Sequence, residues 1–285
     1  MKVKIKVKAI GVNRVDILQL EGKYTSPDGN SIPGLEVSGI RNDNGQRVFA
    51  LLTSGGYSEE VEVDENFIHP ILNHIDYNIA AAIPEAIVTT WLNLYNIGKI
   101  KDCSNVLIHG GASGICSLTI QYALNEGKDV FTTARDIKKL DYLKNFPNCK
   151  RLSFDQFKDK IKSKNLKIDL IIDILGGKYL DQNLSLLNKY GKLILFAVMD
   201  SKISEINAAR ILMKNLTIIG STLRNKNEKQ KSLLFKEACK NLLPYIFEGT
   251  IRPLISKIFP LKDYIHAHQY IKSGKNIGKV ILVTN

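Results

Sequence analysis

The stretch Val106-Leu-Ile-His-Gly-Gly-Ala-Ser-Gly-Ile-Cys116 decides how the chain folds. A short aliphatic run leads into a glycine-rich turn, and a helical pattern begins near Ser113. Such a turn lets backbone approach a pyrophosphate, while the helix start offers free N–H groups and the positive end of its dipole. Against the dinucleotide template G-x-G-x-x-G, Gly111 fits the first glycine, Ser113 replaces the second and Cys116 the third.

Toward the C-terminus the same alternation continues. The sequence predicts strand Asp129–Ala134, a helix to about Phe146, strand Arg151–Phe154 and helix Gln156–Ser163. Strand Asp169–Ile174, helix Leu180–Asn188, strand Lys192–Ala197, a helix ending at Lys214 and strand Leu216–Thr222 complete the series. Nearly continuous aliphatic strands alternating with helices indicate an α/β region with a parallel sheet covered on both faces. Toward the N-terminus, residues 1 to about 85 read as β-rich, with turn-forming stretches at Ser26–Gly34 and Asn42–Gly45. Ala80–Leu92 looks helical around Pro84, and the tail from about Lys231 reads as a helix followed by short strands ending in Lys279–Val283. A β-rich start, an α/β middle and a mixed tail point to a split outer domain, residues 1–86 and 224–285, around a nucleotide-binding domain, residues 87–223.

The end of the second strand of this series bears on the cofactor. An NAD site places an acid there for the ribose 2′-hydroxyl. Here the strand ends Thr132-Thr133-Ala134-Arg135, with Lys138 and Lys139 one turn on. A carboxylate beside a 2′-phosphate would cost roughly 4 kcal/mol at about 4 Å and an effective dielectric of about 20. Ala134 removes that repulsion and Arg135 with Lys139 attracts, which favours NADP(H). Asp136 is expected to cap the following helix.

The 285 residues carry 40 Lys+Arg against 28 Asp+Glu, a net +12. The basic residues are scattered and not interleaved with aromatics on one segment, so a nucleic-acid partner is not expected. Four cysteines lie far apart without a CxxC pair, which fits a reducing, cytoplasmic setting. Met1-Lys-Val-Lys-Ile-Lys-Val-Lys8 alternates with period two, as a strand does and a signal peptide does not, and no apolar run is long enough for a bilayer.

Taken together, several segments resemble the zinc-less quinone oxidoreductases of the medium-chain dehydrogenase/reductase superfamily, in the stress-inducible, zeta-crystallin-like branch. They are Gly11-Val-Asn-Arg-Val-Asp16, Glu21-Gly-Lys-Tyr24, Pro33-Gly-Leu-Glu-Val-Ser-Gly39, Gly55-Gly-Tyr-Ser-Glu59, Ala80-Ala-Ala-Ile-Pro-Glu85 and the glycine turn. Asp173-Ile-Leu-Gly-Gly177, Tyr190-Gly-Lys-Leu-Ile194, Gly220-Ser-Thr-Leu-Arg224 and Asn276-Ile-Gly-Lys-Val280 follow in the same order. The resemblance implies a GroES-like catalytic domain packed on a Rossmann doubly wound domain, NADPH in the cleft, a homodimer, and hydride transfer to a quinone or similar conjugated carbonyl such as an enone. It implies that Tyr24 and Asn13 orient the carbonyl, with Tyr24 the proton donor. Thr89, Gly111, Ser113, Gly114 and Ile115, Arg135 and Lys139, then Gly176, Phe196, Leu223, Arg224 and Asn276 fall where the family lines its cofactor.

The chain also departs from the family pattern. Opening strands before the segment matched by Lys2–Ala9 are missing, and the stretch between Gly39 and Val48 is short, so the GroES-like domain reads as truncated. Cys116 replaces a glycine of close helix–strand packing, Phe154 stands where a tyrosine contacts the cofactor phosphate, and Arg135 replaces a glycine. These departures motivate an alternative, a catalytically weak relative that serves as a nucleotide-binding or scaffold protein. A metal site is not expected: Leu35 stands where zinc alcohol dehydrogenases carry histidine, and His266-Ala-His268, spaced as ligands on a strand, has no nearby cysteine.

Overall fold

The computed structural model describes residues 1–155, 157–163 and 167–284. In chain order the β-rich beginning contains β1 (Lys2–Val12), α1 (Arg14–Leu20), β2 (Glu36–Arg41), β3 (Arg47–Leu51), β4 (Glu60–Asp64), β5 (Ile68–Pro70), α2 (Tyr77–Ala81) and α3 (Pro84–Thr90). The α/β middle contains β6 (Asn105–His109), α4 (Gly114–Asn125), β7 (Asp129–Ala134), β8 (Cys149–Ser153), α5 (Phe157–Ser163), β9 (Ile168–Asp173) and α6 (Tyr179–Leu186). It ends with β10 (Leu187–Leu195), α7 (Ala208–Lys214) and β11 (Thr217–Gly220). The tail holds α8 (Glu228–Phe247), β12 (Ile255–Pro260), α9 (Tyr264–Lys272) and β13 (Lys279–Val283).

Two compact units result. The first comprises Met1–Thr89, Ser113–Leu118 and Arg224–Asn285, and the second Thr90–Ala112 and Thr119–Leu223.

The first unit is built on a seven-stranded, mostly antiparallel sheet ordered β12-β13-β1-β2-β3-β5, with β4 paired to the start of β1. The alternation at the N-terminus explains that pairing: Val3, Ile5 and Val7 are buried while Lys2, Lys4 and Lys6 are exposed. Along the register the lysines lie opposite Asp64, Glu62 and Glu60, and Lys2 and Lys4 pair with Glu62 at 3.5 Å and Glu60 at 3.1 Å. Between Val7 and Ala9 the register with β2 shifts by a bulge. Beyond it β1 leaves strict alternation, and Ala9–Val12 are all buried. The long helix α8 begins with a capping box, where the Asn227 side chain accepts the Gln230 N–H at 2.9 Å and the Gln230 side chain accepts the Asn227 N–H at 3.1 Å.

The second unit holds a six-stranded sheet ordered β11-β10-β9-β6-β7-β8, parallel at every pairing. Its central strands are nearly wholly buried, as strands covered on both faces must be, and β6 and β9 are mostly aliphatic. The order reverses between β6 and β9, since the chain first builds outward through β7 and β8 and then returns to β9. That reversal is the topological switch point at which open α/β sheets take their ligands.

The sequence-based strands match this sheet within a few residues. Several helices differ. Arg14–Leu20, within a stretch read as β-rich, is a helix. The segment after β7 is a 3-10 helix over Ile137–Leu143 instead of a longer helix to Phe146. Ala80–Leu92 breaks at Pro84, whose missing N–H ends the pattern begun in α2, and π-helical winding follows over Trp91–Ile97. Gln156, the expected start of the helix before β9, lies outside the described residues. No helix among the described residues is long and apolar enough to cross a membrane.

Candidate functional site

In the second unit the glycine turn follows directly from β6. Gly110 adopts φ +70°, a conformation that L side chains rarely hold. Gly111 serves a different need, because a Cβ there would collide with Thr132 Oγ1 and lie 2.8 Å from Ile120 Cδ1. Its N–H donates to Thr133 O at 3.0 Å, and its carbonyl accepts the Tyr142 hydroxyl at 2.7 Å. Gly110 therefore makes the turn, and Gly111 lets it lie against β7.

The other sequence-predicted positions of this unit share one end of the sheet. Gly111 follows β6, Arg135 follows β7, Gly176 follows β9, Phe196 follows β10 and Leu223 lies just past β11. In a parallel sheet these are all carboxyl ends, the edge where such folds bind ligands. At the end of β7, Ala134 is buried and Arg135 exposed. Burial, together with the nearby Arg135 charge, lowers the Lys139 ammonium from its ordinary value, against the pull of Asp136. Asp136 caps the 3-10 helix as expected, accepting the Lys138 N–H at 3.0 Å. Phe154 tilts against Tyr179, ring centres 5.9 Å apart.

A buried polar chain supports this edge. The Asn183 amide nitrogen donates to Asp173 Oδ2 at 3.1 Å, so Asn183 Oδ1 faces His109 Nε2 at 2.9 Å. A carbonyl oxygen only accepts, so Nε2 carries the imidazole proton and Nδ1 accepts from Thr133 Oγ1, 2.8 Å away. Burial keeps His109 below its usual pKa. Asp173 Oδ1 in turn accepts the N–H groups of Leu175 at 2.7 Å and Gly176 at 3.4 Å. The turn at Gly176, φ +61°, is thereby tied to the end of β6.

In the first unit the start of α4 lies beside β13. Ser113, Gly114 and Ile115 are partly exposed and Cys116 is buried. Ser113 pairs with Gly278 as an isolated bridge, and its hydroxyl accepts the Cys116 N–H at 3.2 Å. A Cβ on Gly114 would fall 2.5 Å from Lys279 Cδ and 2.7 Å from its Cγ. Nearby, the Asn276 amide donates to Gly278 O at 3.1 Å.

Lys279 belongs to a buried ionic cluster that the sequence reading missed. Its ammonium pairs with Glu36 and donates to Asn13 Oδ1 at 2.7 Å, and Glu36 is fully buried. Asn13 Nδ2 donates to Glu36 Oε1 at 2.8 Å and to Gly11 O at 3.3 Å. Both amide hydrogens of Asn13 thus have partners inside the protein, and its side chain is a link in this cluster. The second Glu36 oxygen accepts the Glu85 N–H at 2.9 Å. Burial, reinforced by the Glu36 charge, raises the Glu85 carboxyl to about 7, and Thr89 Oγ1 donates to it at 3.3 Å. Asp16 is likewise raised to about 7 by burial, although it accepts the N–H groups of Asn13 at 2.7 Å and Gly34 at 3.2 Å. The Tyr57 hydroxyl reaches Asp16 at 3.4 Å and His268 Nε2 at 2.8 Å. The available signal was a lone charge inside an aliphatic strand: Glu36 beside Leu35 and Val37, Lys279 beside Val280 and Ile281.

Tyr24, half-buried past the end of α1, carries the guanidinium of Arg224 over its ring. Burial raises its phenol above the ordinary tyrosine value. His266 and His268 sit on helix α9, which corrects the strand-like spacing read from sequence: residues two apart on a helix point to different faces. Among the described residues no group of three or more His, Cys, Asp or Glu side chains is gathered for a metal ion.

The chain has relatives of known kind. A family model described as zinc-binding dehydrogenase matches residues 150–282. The quinone oxidoreductase of Rattus norvegicus is 30% identical over 298 residues, covering 99% of this chain and 89% of the rat protein. That of Homo sapiens is 29% identical over the same shares of each chain. The crystal structure of the quinone oxidoreductase from Thermus thermophilus, solved also in complex with NADPH, superposes with a TM-score of 0.86 at 24% identity. It covers 99% of this chain and 91% of that one. A β-rich unit and a parallel-sheet unit of these topologies, with the rat enzyme matched almost end to end, establish that the chain belongs to the quinone oxidoreductases of the medium-chain dehydrogenase/reductase superfamily.

Proposed function

We propose that this oxidoreductase uses NADPH to reduce a quinone or similar conjugated carbonyl. The observation that carries the reading is the end of β7, where Arg135 and Lys139 stand at the carboxyl edge of the sheet and the nearby acid, Asp136, is spent on a helix cap. This donor set fits a 2′-phosphate and lacks the carboxylate that would select NAD. The partly exposed Ser113, Gly114 and Ile115 at the start of α4 fit a pyrophosphate. The relatives named quinone oxidoreductase support the acceptor class.

When bound at Arg135, Lys139 and the start of α4, the dinucleotide would supply the hydride. The remaining proton comes from this chain: Tyr24 Oη donates to the acceptor oxygen, and water reprotonates the phenolate. One hydride and one proton complete the two-electron reduction. An electron-poor carbonyl needs positioning more than a strong acid, so a phenol held above its ordinary pKa suffices.

Calorimetry is expected to detect NADPH binding tighter than NADH, and added benzoquinone to drive NADPH oxidation. Lys139→Glu is expected to raise the KM for NADPH about 100-fold with little change for NADH, since it puts a carboxylate beside the 2′-phosphate. Absence of NADPH binding to the wild-type protein would favour the scaffold alternative and end the enzymatic reading.

A homodimer is part of the same proposal. The edge strand β11 is largely exposed, and Ile218, Leu212 and Met213 are exposed at 38%, 75% and 76%. Apolar side chains near a sheet edge that no strand of the described residues pairs are a ready surface for a second copy. Sedimentation should report a dimer for the wild type and a monomer for Leu212→Lys/Met213→Lys. A wild-type monomer at micromolar concentration would contradict it.

A further inference from the structure

Arg224 begins the return of the chain to the first unit and touches two consecutive residues beyond α1. Its guanidinium carbon lies 4.4 Å from the centre of the Tyr24 ring. Its Nη2 donates to the carbonyl of Thr25, the next residue, at 2.9 Å. A planar cation bonded to the backbone at one residue and stacked on the ring of its neighbour fixes the plane of that ring, which a flexible ammonium would not do as well. We propose that Arg224 is a positioning residue for Tyr24, holding the phenol in the orientation from which it donates its proton. The proposal rests on Tyr24 being the donor, as inferred above.

The charges facing Tyr24 give Arg224 a second effect. Burial opposes ionisation of the phenol, and so do Glu85, Asp16 and Asp28, whereas Arg224 favours it. When the proton moves from Oη to the acceptor oxygen, the phenolate left behind is stabilised by the guanidinium over its ring. On this proposal Arg224 acts through the tyrosine, where the family resemblance implied a cofactor contact.

The test is a double-mutant cycle in the full chain, using Arg224→Met, Arg224→Lys, Tyr24→Phe and Tyr24→Phe/Arg224→Met, with NADPH and benzoquinone as substrates. Arg224→Met is expected to lower kcat about 2- to 5-fold, the size of effect estimated for an exposed cation–π contact. The Kd for NADPH should stay unchanged, and no further loss should occur in the Tyr24→Phe background. Arg224→Lys should recover part of the loss. A readout independent of activity is 3-fluorotyrosine placed at position 24 and titrated by fluorine NMR, where Arg224→Met should move the phenol pKa upward. Equal losses in both backgrounds, a weakened NADPH Kd, or an unmoved fluorine titration would each overturn the proposal. A Tyr24→Phe variant as fast as wild type would instead remove Tyr24 as donor, and the fluorine titration would still decide whether Arg224 governs the ring.

Discussion

Lys279→Met is expected to lower the unfolding free energy by about 3–5 kcal/mol, the usual cost of breaking a buried ion pair from one side. Glu36 is fully buried and Lys279 is 4% exposed, so the substitution strands a carboxylate where water cannot reach it. It also removes the ammonium donor from Asn13 Oδ1. The neutral pair Lys279→Met/Glu36→Gln should recover most of the loss, since desolvation of both charges disappears with them. Denaturant titration of the wild type, the single and the double variant measures this directly. A single variant within about 1 kcal/mol of wild type would mean that the cluster tolerates an unpaired charge, which the burial of Glu36 argues against.

Asp16 makes stability depend on pH in the direction opposite to an ordinary carboxylate. Its folded pKa is about 7 against 3.8 for the free side chain, through burial. Between those values the native protein keeps a proton that the unfolded chain has released. The contribution is therefore fully present below about pH 4 and is lost as pH rises through about 7. The difference between the two states corresponds to about 4 kcal/mol. His268, pushed down to about 4 by burial and Lys272, acts in the opposite sense over part of that range. For that reason the difference between Asp16→Asn and wild type is the quantity to follow. It should move in favour of the variant by about 4 kcal/mol between about pH 4 and pH 8. A difference that stays flat with pH would show that Asp16 titrates as an ordinary carboxylate.

The parallel sheet was legible because its strands are short aliphatic runs punctuated by glycine and charge. β7 occupies Asp129–Ala134, the very span read from sequence. The placement of Gly111, Arg135, Gly176, Phe196 and Leu223 along one edge follows from that strand order alone, because every parallel strand delivers its carboxyl end to the same side. The short helices were harder. In α1, Val15 and Ile17 carry strand propensity, and the structure holds the segment helical through the Asp16 carboxylate reaching back to the Asn13 N–H. The buried cluster escaped because Glu36 and Lys279 lie at opposite ends of the chain. Periodicity reports which face a residue occupies and says nothing about a distant charge that shares it. Asn13 shows the same gap: one amide hydrogen goes to Gly11 O two residues away, but the other goes to Glu36, a partner that only the tertiary structure supplies.

The packing of Gly114 against the Lys279 stem has an evolutionary consequence. A glycine in a turn proposed to take a phosphate is readily explained by the ligand alone, which would make it invariant wherever the cofactor binds. Here a Cβ would meet a lysine stem from the other end of the chain, so the constraint is shared between two positions and can drift only if both change. Lineages in which position 114 has acquired a side chain should have shortened the residue at 279 and neutralised the one at 36. Those three columns should then co-vary as a set, while Gly110, bound by its own backbone angle, stays glycine throughout.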